Sequence, residues 1–153
     1  MQVETTRFGP IEVADDEVVL FPDGLPGFGG AHRMVLVGAG DLVGVEGGVG
    51  HHSLYWLQDV VDPDLAFLTT VPWLAYPDYD IDVDPAGSSP DDLCVLVMVA
   101  VRREDGTATL TTNLRAPVVI DTARREGRQV ILDDSDWPVR APLAESRPIG
   151  AGC

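Results

Sequence analysis

Apolar and polar positions alternate along most of the chain in short runs, and turn-forming residues break those runs every few positions. "QVETT" alternates and is followed by "FGP" and "IEV", which predicts an opening hairpin turning at Gly9 and Pro10. "EVVLF" predicts a strand that ends at the turn-rich "PDGLPGFGG". "RMVLV", "LYWLQDV" and "LAFLTTV" predict three more strands, the last two separated by "VDPD" with Pro63 at a turn position. "LCVLVMVAV" is continuously apolar, so both faces of that strand should be covered. Asp105-Gly106 is a strong hairpin signal. "APVVID" and "RQVILD" flank "TARREG", which predicts a second hairpin with Gly127 at a left-handed position. "SSPDDL" offers the one good helix start, with Ser89 as N-cap and Pro90 in the first turn, enough for a single turn. From Trp137 onward, proline and small residues predict an irregular tail.

No segment holds a helical period over three turns, and no strand–helix–strand rhythm calls for a parallel sheet. The expectation is a mainly β, single-domain antiparallel fold, a barrel or a sandwich, with at most short helical turns. About ten short strands suffice to close a barrel, which removes exposed edges. With 153 residues, 45% of them hydrophobic, the chain can bury a core without a disulfide staple. Cys94 reads as a small buried hydrophobe and Cys153 lies on the tail; neither belongs to a Cys-x-x-Cys pair, so reduced thiols are expected. The N-terminus lacks a basic stretch leading into an apolar one, and no run reaches the roughly 20 apolar residues of a membrane helix. No membrane association and a cytoplasmic location are therefore expected.

Charge changes the picture. Twenty-five acidic residues face 10 basic ones, all arginine, for a formal net charge of -15. Without lysine there is no P-loop and no Schiff base. Direct nucleic-acid binding is disfavoured, because phosphate contacts need clustered cations. A basic protein partner is favoured by the same electrostatics, although solubility alone also accounts for acidity.

Two acidic clusters are candidates for chemistry. "YPDYDIDVDP" places aspartates at 78, 80, 82 and 84. In a strand these would share one face while Tyr79, Ile81 and Val83 turned to the core. Carboxylates about 7 Å apart repel by ~0.6 kcal/mol in water and ~2.4 kcal/mol at an effective dielectric of 20, so the face must be solvated or neutralised. An EF-hand is excluded: position six of the loop is Val83 or Pro85 in the two possible frames, not the glycine required. "LDDSDW" gathers Asp133, Asp134 and Asp136 near Arg140. Two carboxylate clusters leave a metal-dependent hydrolase as the alternative function. There is no G-x-S-x-G, G-x-G-x-x-G or H-E-x-x-H motif, and His51 and His52 sit in a glycine-rich loop as solvated residues. No catalytic residue, metal ligand or cofactor is assigned.

Several longer segments together resemble the flagellar assembly factor FliW family: "FGPIEV", "FPDGLPGF", "WLQDVVDPDLAFLTTVPWLAYPDYDIDV", "TTNLRAPVVID" and "GRQVILDDSDWPVRAPL". Asp121 stands where the family usually has Asn, and Trp137 where Tyr is expected. The resemblance implies a barrel-like domain over residues 1–143 followed by an irregular tail, 144–153. It implies a cytoplasmic protein without enzymatic activity that binds flagellin as a chaperone. It also implies sequestration of CsrA, an RNA-binding translational repressor, so that flagellin synthesis follows export. On that reading Asp78, Asp80, Asp82, Asp133, Asp134 and Asp136 form an acidic contact surface for a basic partner, with Trp73 and Tyr76 as aromatic anchors.

Overall fold

The computed structural model describes residues 1–38, 54–81, 90–133 and 135–143. Eleven strands are found among them: β1 (Gln2–Thr5), β2 (Gly9–Glu12), β3 (Val19–Leu20), β4 (Arg33–Gly38), β5 (Leu54–Asp59), β6 (Ala66–Thr70), β7 (Leu93–Glu104), β8 (Thr107–Thr112), β9 (Val118–Asp121), β10 (Glu126–Gln129) and β11 (Ala141–Pro142). The described helical residues form single 3-10 turns at Asp15–Glu17, Pro72–Leu74 and Pro90–Asp92.

Seven strands close a barrel in the order β7-β6-β5-β4-β3-β10-β9, with β9 returning to β7. All of these pairings are antiparallel except β3 with β10, where Leu20 lies opposite Glu126. The closure is made by β7, which is twelve residues long. Its first part pairs with β9 from Leu93 to Leu96, its middle with β6, and its end leaves the barrel to form a hairpin with β8. Asp105 and Gly106 turn that hairpin at φ 51° and 78°, the left-handed pair that a two-residue turn requires.

The barrel interior holds Phe21, Met34, Leu57, Leu96, Val118 and Ile120 among other buried residues. Side chains on the opposite strand faces are covered by pads outside the barrel. The β1–β2 hairpin brings Val3, Ile11 and Val13 onto Val35 and Val37 of β4. On β7, Cys94 and Leu96 point inward, while Val95 and Val97 pack under Tyr79, Leu114 and Trp137. From Leu93 to Met98 the strand is sandwiched in this way and has no polar face, which explains that part of the apolar run; its last two residues, Ala100 and Val101, are exposed instead of covered on both faces.

Three local expectations are corrected. The opening hairpin turns at residues 6–8, and Gly9 and Pro10 lie within β2. The left-handed residue of the β9–β10 turn is Arg125, at φ 57°, and not Gly127. Residues 141–142 form β11 against β8 rather than irregular chain. Cys94 is buried as expected; Cys153, His51, His52, Ser89 and the tail 144–153 lie outside the described residues.

Candidate acidic groove

The aspartate ladder is not a strand where it is described. Pro72 opens a 3-10 turn, and the Tyr79 N–H donates to the Tyr76 carbonyl at 2.9 Å, closing a second turn over Pro77 and Asp78. The alternation of sides survives nonetheless. Tyr79 is buried, Ile81 is half-buried, and Asp78 and Asp80 are exposed. The cause is Tyr79: its hydroxyl donates to the Leu114 carbonyl at 2.7 Å, and its ring meets Trp73 and Trp137 edge-on at 6.1 and 4.8 Å. Burial pushes its phenol well above the usual 10.

Trp137 joins the two acidic segments. Its indole N–H donates to the Asp80 carbonyl at 3.2 Å, while its own carbonyl accepts from Arg115 Nε at 2.9 Å. The segment after β10 is held by the backbone as well, since Leu132 N–H donates to the Arg115 carbonyl at 2.7 Å. Asp80 and Asp133 thereby line one groove of about 710 Å³, floored by Ile81 and by Val130 to Leu132 and flanked by Ser135. Asp136 is exposed on the segment next to it. Asp82 and Asp134 lie outside the described residues.

The aromatic anchors are placed differently from the aspartates. Trp73 and Tyr76 are half-buried against the Tyr79 cluster. The Trp73 indole N–H donates to the Tyr79 carbonyl at 2.7 Å, and the Tyr76 hydroxyl donates to the Pro142 carbonyl. Burial raises the Tyr76 phenol too. Both polar tips are therefore spent inside the protein, leaving ring faces and edges for any contact. Sequence reasoning missed Tyr79 and Trp137 as the residues that assemble this region; the available signal was a tryptophan directly after an acidic run, an apolar anchor where solvated turn residues would suffice.

Among the described residues, no three histidine, cysteine or acidic side chains converge as a metal-binding set. Nor is any described helix long and apolar enough to cross a membrane. Fold and groove together define a small acidic barrel protein with a carboxylate-rimmed surface depression.

Comparison with known proteins identifies the family. The FliW protein family profile matches residues 2–143. The flagellar assembly factor FliW of Alkaliphilus metalliredigens is 35% identical over 149 residues, covering 95% of this chain and 87% of that protein. Its counterpart in Syntrophus aciditrophicus is 30% identical, covering 100% of this chain and 95% of that one. A crystal structure of the flagellar assembly factor FliW superposes with a TM-score of 0.77 at 28% identity, covering 94% and 96% of the two chains. This chain belongs to the FliW family of flagellar assembly factors.

Proposed function

We propose that this chain is a non-enzymatic cytoplasmic regulator that binds flagellin before export and, when free of it, captures a CsrA-type translational repressor. The acidic groove is the site for the repressor. An RNA-binding repressor carries cationic surface for phosphate, and that surface is attracted to exposed carboxylates by the same charge. The observation that supports this reading is the convergence of Asp80 and Asp133, 53 positions apart in sequence, on one groove held by Trp137. Asp78 and Asp136, exposed nearby in sequence, extend the negative field. Trp73 and Tyr76 contribute ring edges beside it.

The test is calorimetric titration with flagellin and CsrA from the same bacterium, at low and high salt. Repressor binding should weaken as salt rises, and Asp80→Asn and Asp133→Asn should each weaken it a few-fold, the range of about 0.2–1 kcal/mol typical of exposed charges. Salt-insensitive binding, unchanged by either substitution, would remove the groove from the interface. Failure of both partners to bind would overturn the function itself.

A further inference from the structure

The ladder between β6 and β7 stops short. Thr70 pairs with Val97 and Thr69 with Met98. The same register would next bring Leu68 to Val99, Phe67 to Ala100 and Ala66 to Val101. Those three pairings are not made. Instead β6 stays with β5 along Ala66–Leu68, and β7 swings out with β8 from Val99 onward. The six residues of the missing ladder line a cleft of about 490 Å³, with Trp56 on one side and Val139 and Arg140 at the rim. Val101 and Val139 remain 39% and 53% exposed.

The direction of the backbone groups follows from two hydrogen bonds. Asp59 N–H donates to the Leu65 carbonyl at 2.9 Å. Alternate residues exchange bonds in an antiparallel pair, so Leu65 and Phe67 serve β5 and Ala66 aims the other way. Asn113 N–H donates to the Met98 carbonyl at 3.0 Å, so Met98 and Ala100 serve β8 and Val101 aims toward β6. Ala66 and Val101 thus direct their N–H and C=O groups into an apolar cleft where no ladder takes them up. Such an edge is a template for an added strand.

A second feature lies at the Ala66 end. Ala66 also lines a hollow of about 260 Å³, shared with Thr6, Arg7, Gln58 and Asp64. Gln58 is fully buried; its Nε2 donates to the Asp59 carbonyl at 3.1 Å, but its Oε1 has no partner. A buried acceptor left open costs about 1–3 kcal/mol. The cations here, Arg7 stacked 3.9 Å over the Trp56 ring and Arg140 at the rim, disfavour a basic partner.

We propose that this cleft takes an extended, uncharged or acidic segment of flagellin by strand addition along the open edge of β7. This rests on the flagellin partnership proposed above. It gives the two partners separate surfaces: apolar and arginine-rimmed for the export substrate, acidic for the repressor.

Val101→Pro tests it, because the Val101 N–H faces away from β8 and its loss spares the β7–β8 hydrogen bonds. Flagellin affinity should fall by roughly tenfold or more, while Val101→Thr, which keeps the N–H, should bind as the wild type does. In the wild-type complex the Val101 amide should exchange with deuterium at least about tenfold more slowly than in the free protein. A folded Val101→Pro variant that binds flagellin as well as the wild type, or an unprotected Val101 amide in the complex, would overturn the proposal while leaving the function standing. Flagellin that fails to bind the wild type would overturn both.

Discussion

Tyr79 shows how one side chain organises an otherwise irregular region. Its hydroxyl is the donor for the Leu114 carbonyl, and two tryptophans enclose its ring. Tyr79→Phe keeps the ring contacts but leaves that carbonyl open, so it should cost about 1–2 kcal/mol at neutral pH. The pH response has a definite sign. Burial raises the folded phenol above the ordinary 10, so above that pH the unfolded chain releases a proton that the folded one retains. The tyrosine's contribution is fully present below pH 10 and is lost as pH climbs from there through the raised folded value. Urea midpoints for the two proteins should therefore differ at pH 7 and converge in strong alkali; a gap that stays constant would show that the phenol is not held in its neutral form. Asp121 teaches a related lesson. Its Oδ1 accepts the N–H groups of Ala123 and Arg124, both at 3.0 Å. That is an acceptor role an amide oxygen fills equally well.

At the level of elements, closure of the barrel depends on how nearly two strands approach. Gly127 lies in β10, and a Cβ there would sit 2.6 Å from Phe21 Cζ and 2.8 Å from Cε2. Phe21 follows β3 and is fully buried, so its ring cannot move away. Gly127→Ala should destabilise the fold by about 1–3 kcal/mol in chemical denaturation, and Phe21→Leu in the same chain should recover part of it. Absence of any loss would mean that β10 can shift off β3. Such a glycine is visible in the sequence, but its reason is not: a turn explains it locally, whereas the structure requires it for a contact 106 positions away. The same distinction runs through the fold. β4, β5, β6 and the β7–β8 hairpin were legible because alternation, β-branched residues and Asp105-Gly106 are local signals. The two-residue strands β3 and β11 and the parallel pairing of β3 with β10 were not, since long-range closure alone creates them. In the ladder the sidedness of Asp78, Tyr79 and Asp80 was legible but the strand was wrong, because Pro72 and Pro77 turn the chain. The acidic composition of the groove could be read from sequence; its assembly from two distant segments through Trp137 could not.

At the scale of the molecule, charge acts on folding and binding in opposite directions. A net charge of -15 on 153 residues means that exposed carboxylates repel one another across the surface, and compaction brings them closer. Salt shortens the reach of that repulsion from about 30 Å at 0.01 M to about 8 Å at 0.15 M. Raising sodium chloride over this range should move the urea midpoint upward, as self-repulsion in the folded state is screened. The same addition should weaken capture of a basic repressor, because it screens the attraction between the groove and its partner. The two effects are separable in one protein: Asp80→Asn should remove part of the salt dependence of binding while barely changing that of stability, since one charge in 25 acidic groups matters locally but not globally. A urea midpoint that falls with salt would mean that attractive pairs outweigh repulsion in the folded state. In that case local attractive pairs would govern the salt response of folding, while the net charge of -15 would still supply the long-range field that steers a basic partner.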